Sequence, residues 1–133
     1  MKLLYHTRDL WEGRGGYVED EWLTDTDGRY AFRARLQGDA FVVCALSEAG
    51  DDGNISFRYE VAKTAAQEDR YVVVRVRDDF YIFDGATALA KGNVGDPYDD
   101  DRAAKGEEWV YVPRSIGARF EDFVDGSDEP VVV

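Results

Sequence analysis

Apolar and polar positions alternate along much of this chain with a period of two. Over Arg29–Gln37, Tyr30, Phe32, Ala34 and Leu36 fall on one side, and Arg29, Arg33 and Arg35 on the other. That is the pattern of a strand with one face packed and one wet. Over Ile55–Val61, Ile55, Phe57, Tyr59 and Val61 alternate with Ser56, Arg58 and Glu60. Phe41–Leu46 is a continuous apolar run and predicts a central strand covered on both faces. Arg70–Arg77 places Val72, Val74 and Val76 opposite Arg75 and Arg77. Phe80–Phe83 follows after a hairpin-like connection, and Trp109–Val112 is a further strand, stopped by Pro113. Lys2–Thr7 and Tyr17–Leu23 are weaker strand candidates.

Turn chemistry separates these runs. Asp27-Gly28, Gly38-Asp39, Asp51-Asp52-Gly53-Asn54 and Asp84-Gly85 each stand at a strand boundary. Asp and Asn there bond to nearby backbone, and Gly supplies positive φ. Helical signals are few. Ala62–Asp69 predicts two turns across a connection, and Phe120, Phe123 and Val124 stand at i, i+3 and i+4, the spacing of a short C-terminal helix. About seven to nine short strands at this spacing predict a single all-β domain over residues 1–124, an antiparallel sandwich with at most short helices. Residues 125–133 are expected to be a flexible tail. The rhythm of Phe32-Arg33-Ala34, Ala45-Leu46-Ser47, Tyr59-Glu60-Val61, Val74-Arg75-Val76 and Phe83-Asp84-Gly85 resembles a concanavalin-type or lectin-like jelly roll, without a diagnostic motif.

Length and composition agree with one globular unit. A chain of 133 residues buries about two-thirds of its unfolded surface. Apolar residues make up 44% and aromatic ones 14%, so the high charge does not imply disorder. No apolar run reaches transmembrane length, and the N-terminal apolar stretch is too short for a signal peptide, so the expected compartment is the cytoplasm. One cysteine, Cys44, makes no internal disulfide and fits that compartment.

Charge changes the picture more. There are 28 acids against 16 bases, a formal net charge of −12. This excludes ordinary attraction to nucleic acid or to an anionic membrane. The imbalance is local: residues 1–30 carry −3, residues 31–94 carry −2, and residues 95–133 carry −7. The preference for Asp over Glu and Arg over Lys points to a GC-rich genome, either a halophile or a high-GC bacterium or its phage. In a halophile the acidity would be a solubility adaptation only.

Catalytic chemistry is poorly supplied. His6 is the only histidine, so any Ser-His-acid or Cys-His set would have to use it. Cys44 lies in the most apolar strand, where a thiol is structural. One Cys and one His far apart do not make a transition-metal site. Calcium needs only oxygen ligands, and Asp96, Asp99 and Asp101 in the Asp96–Asp101 run are candidate ligands, with Asp51-Asp52-Gly53-Asn54 a weaker set. Gly13-Arg14-Gly15-Gly16 lacks the Lys-Ser/Thr of a phosphate loop. Paired carboxylates suffice for glycoside hydrolysis, but in so acidic a chain a pair carries no information. Trp11, Trp22 and Trp109 would suit a sugar platform if exposed, or plug the ends of the sandwich if buried.

The expectation is a non-catalytic acidic binding protein, with no cofactor unless calcium. Asp96, Asp99, Asp100, Asp101, Glu107 and Glu108 would supply the field, and Trp109 and Tyr111 the apolar anchors. Aligned carboxylates can stand in for a phosphate backbone, as in small acidic phage inhibitors of restriction or CRISPR enzymes, and the same acidity fits immunity proteins against basic nucleases. The alternative from another class is a lectin-like carbohydrate-binding module, calcium-dependent or not.

Overall fold

A computed structural model describes residues 2–25, 28–45, 47–49, 53–77, 79–95 and 109–132. Helix α1 (Lys2–Gly13) leads into strands β1 (Tyr17–Asp25), β2 (Gly28–Leu36) and β3 (Asp39–Cys44). Then come β4 (Ser47–Ala49), β5 (Asn54–Arg58), α2 (Tyr59–Gln67), β6 (Tyr71–Val76), β7 (Asp79–Asp84) and α3 (Gly85–Lys91). The last elements are β8 (Asn93–Gly95), β9 (Trp109–Pro113), a 3-10 turn over Arg114–Ile116, β10 (Ala118–Arg119) and α4 (Phe120–Asp125).

Ten strands form two sheets among the described residues. The larger has the order β1-β2-β3-β6-β7-β10, and the smaller β4-β5-β9-β8. The expected antiparallel architecture is corrected at one pair: β3 and β6 run parallel, with Phe41 beside Tyr71 and Cys44 beside Val74. Parallel neighbours need a crossover connection, and here β4, β5 and α2 carry the chain back. The fold is strand-rich, with a large mixed sheet and short helices, in the broad range between all-β and α+β.

Both faces of the large sheet are covered, which explains its apolar central strands. On one face Val42, Cys44, Val72, Val74 and Phe83 pack on Val61, Ala62 and Ala65 of α2, on Ala88 of α3, and on Ile55, Phe57, Val110 and Val112 of the small sheet. Helices therefore share this layer with the second sheet. On the other face Phe32, Phe41, Val43, Val73 and Ile82 pack on Trp11 of α1 and Phe120 of α4. The Trp11 ring lies 5.2 Å from that of Phe41 and 5.1 Å from that of Phe120.

Two local expectations are corrected. Lys2–Thr7 is helical, because Thr7, Leu10 and Trp11 form an i, i+3, i+4 face, and a short apolar run fits either period. The strand expected over Ile55–Val61 stops at Arg58, and Tyr59 opens α2, whose buried face includes Val61. After α4, Gly126 adopts φ 84°, and the Ser127 and Asp128 amides donate to the Asp122 carbonyl at 2.9 and 3.2 Å, closing the helix. Further on, the Val131 amide donates to the Ile116 carbonyl at 2.9 Å and Pro130 is buried.

Candidate functional site

Asp96, Asp99, Asp100, Asp101, Glu107 and Glu108 lie outside the described residues, as do Asp51 and Asp52. The calcium set of Asp96, Asp99 and Asp101 is therefore also outside them. Trp109 is only 5% exposed, and Tyr111 is half-buried in the same strand. Trp11 is fully buried and Cys44 is a fully buried free thiol. His6 is exposed on α1. Among the described residues no three His, Cys, Asp or Glu side chains gather as metal ligands, and no helix is long and apolar enough to cross a membrane.

The arrangement of cations is the first feature of interest. Arg33 grips Glu68 in a fork, Nε donating to Oε1 at 2.9 Å and Nη2 to Oε2 at 2.7 Å. Arg70 donates from Nε to the same Glu68 Oε1 at 2.9 Å, and from Nη1 to Glu19 Oε1 at 2.9 Å. Arg35 Nε completes the chain, 3.3 Å from Glu19. The alternating series Arg33, Glu68, Arg70, Glu19, Arg35 ties β1, β2 and the turn after α2 together. Donation by Arg70 holds the Glu19 carboxyl below its usual range, against an opposing effect of burial. Donation by Arg33 does the same for Glu68. Elsewhere Arg14 pairs with Glu121 at 3.1 Å, and Arg119 with Asp79 at 3.2 Å.

Carboxylates gather where this chain of pairs ends. A cavity of about 310 Å³ is lined by Gly38, Asp39, Ala40, Asp69, Arg70, Tyr71 and Asp84. Topology explains the gathering. Because β3 and β6 are parallel, their first residues lie at one end of the sheet, and β7, antiparallel to β6, finishes there with Asp84 opposite Tyr71. Gln37 and Gly38, both at positive φ (53° and 87°), turn the chain to present Asp39, and Asp69 itself stands at φ 55° in the turn into β6. Asp84 caps α3, accepting from the Thr87 amide at 3.0 Å and the Thr87 hydroxyl at 2.8 Å. The phenol of Tyr71 is pushed up, first by burial and then by the charges of Asp39, Asp84, Glu129 and Asp69. Phe123 packs 5.3 Å from the Tyr71 ring and brings the acidic end of the chain close by.

Arg70 is the one cation lining this cavity among the described residues, and its guanidinium is occupied by Glu19, Glu68 and the Phe41 carbonyl. Asp39 and Asp69 form no ion pair among the described residues. The arrangement suits an incoming guanidinium or ammonium group, and no nucleophile with an adjacent base is present in it. Sequence reasoning explained Asp39 and Asp84 as separate turn residues; what it lacked was the parallel pairing that sets them at one end. Comparison with protein-family models, with curated proteins and with solved structures finds no match for this chain.

Proposed function

We propose that this chain is a non-catalytic binding protein whose acidic surface docks the basic surface of a nucleic-acid-handling enzyme, acting as an inhibitor of the anti-restriction, anti-CRISPR or immunity type. One observation carries the reading. Arg14, Arg33, Arg35, Arg70 and Arg119 are held in internal ion pairs, while Asp39, Asp69, Asp84 and Glu129 converge on Tyr71 from four separate parts of the chain. These five arginines are thus already engaged, and the formal net charge of −12 favours a negative outward field. The concentration of acid in the last 39 residues, −7 of the total −12, adds to the same field. Such a field steers a basic partner and selects against acidic ones.

The test is inhibition of DNA cleavage by a panel of purified restriction, CRISPR and toxin nucleases, at low and at high salt. Inhibition of one of them is expected to fade steeply with salt, since exposed charges are screened over about 8 Å at physiological ionic strength. It is also expected to weaken in the triple variant Asp39→Asn, Asp69→Asn, Glu129→Gln. Inhibition that ignores both salt and the triple variant overturns the reading, as does unimpeded cleavage by every enzyme at low salt.

The carbohydrate-binding alternative would use exposed tryptophan faces. Trp11 and Trp109 are both buried, so neither ring favours it.

A further inference from the structure

We propose that the fastening of Val131 to Ile116 positions Glu129 as the fourth carboxylate of the acidic surface around Tyr71, which makes the C-terminal segment a working part of that surface. Its role in docking rests on the reading above, while the positioning itself is tested without a partner. The segment after α4 is built in two parts. The first is local. Gly126 at φ 84° ends the helix, and Asp125 Oδ1 accepts from the Ser127 amide at 2.9 Å and the Ser127 hydroxyl at 2.5 Å. The Glu129 amide donates to Asp128 Oδ1 at 2.9 Å. These bonds turn the chain back with no help from distant residues. The second part is tertiary. Pro130 is buried, and the Val131 amide donates to the Ile116 carbonyl at 2.9 Å. Among the described residues this rung is the one backbone bond that ties residues 126–132 to anything outside α4.

The fastening point is stiff. Ile116 packs against the core, and a Cβ on Gly117 behind it would come within 2.5 Å of the Phe83 ring. Ala118 then pairs with Ile82 of β7. The other end of the segment is equally fixed. Phe120 is fully buried, and the Phe123 ring lies 5.3 Å from that of Tyr71 and 6.4 Å from that of Phe41. Glu129 stands between these ends, one residue before the buried proline. It is exposed, yet its charge acts on the Tyr71 phenol together with those of Asp39, Asp84 and Asp69. The sheet places Asp39 and Asp84, and the turn into β6 places Asp69. Glu129 lies outside every strand and helix, so its place depends on the rung at Val131. A terminal segment without such a tie frays, and a carboxylate on a fraying segment spends little time beside Tyr71.

The test follows the Tyr71 phenol by carbon NMR of its ring during alkaline titration of the intact protein. Glu129→Gln removes the charge and should lower the proton affinity of the phenol about twofold, the scale of one carboxylate acting through water over about 10 Å. Val131→Pro keeps an apolar side chain but removes the amide donor, and should reproduce at least half of that fall. Val131→Ala keeps the donor and should leave the phenol unchanged. With Glu129→Gln and Val131→Pro combined, the phenol should fall no further than in Glu129→Gln alone. Nuclear Overhauser contacts between the Phe123 and Tyr71 rings are expected in every variant, showing α4 still docked. An unmoved phenol in Glu129→Gln or in Val131→Pro, an equal fall in Val131→Ala, a further fall in the combined variant, or loss of the ring contacts would each overturn the proposal. Failure of the docking reading shows separately, as unimpeded DNA cleavage by every nuclease at low salt.

Discussion

Arg33 and Glu68 are joined by two parallel bonds, 2.9 and 2.7 Å long, between a strand and the end of a helix that are 35 residues apart in sequence. The Arg33 side chain is 18% exposed and that of Glu68 32%, so this pair is better shielded than a typical surface ion pair. It carries a consequence for stability against pH. Glu68 and Glu19 both have carboxyls held below the ordinary value of 4.5 in the folded state. Folded carboxylates of this kind contribute stability that is present above the unfolded value and disappears as pH falls through the folded one. Stability is therefore expected to drop with acid from about pH 5 downwards. In Glu68→Gln the loss at neutral pH should be about 1 kcal/mol after allowing for solvent screening, with a shallower acid limb. Denaturant midpoints measured from neutral pH to acid check both.

The Tyr71 phenol supplies the opposite limb. Its folded value lies above 10, through burial and the four surrounding carboxylates. The stability this contributes is complete below the unfolded value and is lost as pH rises through the folded one. Neutralising Asp39 and Asp69 together as Asn should bring the phenol back towards its ordinary range. Carbon NMR of the tyrosine ring during alkaline titration reads this directly; a phenol unmoved by the double variant would contradict the charge assignment.

Gly85 is required by packing. A Cβ placed there would lie 2.6 Å from the Arg70 carbonyl oxygen and 2.8 Å from Ala65. Both obstacles are backbone or a short side chain, and neither can swing away. Gly85→Ala should cost about 1–3 kcal/mol by overpacking. It should also disturb the acidic cavity, since the Gly85 amide donates to the Arg70 carbonyl at 3.2 Å. Urea denaturation and the Tyr71 ring shifts would report the two effects.

Phe120 lies among aromatic neighbours, with ring centroids 5.1 Å from Trp11, 5.9 Å from Phe41 and 6.4 Å from Phe80. Phe120→Ala opens a cavity in that layer and should cost about 3–5 kcal/mol. Against a typical total of about 5–15 kcal/mol this leaves a marginal protein. Phe120→Leu, which keeps most of the volume, should retain the fold at clearly smaller cost by thermal melting.

The division between sequence and tertiary structure runs through individual residues. Alternation in β2 and the apolar runs of β3 and β6 were legible, because a strand's period is local and side-chain direction follows from it. Helix α4 and the later turns of α2 were legible in the same way, while the first turn of α2 reads as a continuation of the strand. The burial of Arg75 was not legible: it reads as a solvent-facing arginine opposite Val74 and Val76, yet it is 9% exposed and donates to Thr7 of α1. The fate of the arginines was hidden too, since Arg33 and Glu68 meet only after a strand and a helix have packed. By itself the sequence determined the strands β2, β3, β6, β7 and β9, which of their positions are apolar, and that the chain is acidic. Tertiary structure decided that β3 and β6 run parallel. That pairing is a long-range choice, made by burying both faces of the central strands, and it brings Asp39 to the end of the sheet where Asp69 leads into β6 and the β6–β7 hairpin sets Asp84 opposite Tyr71.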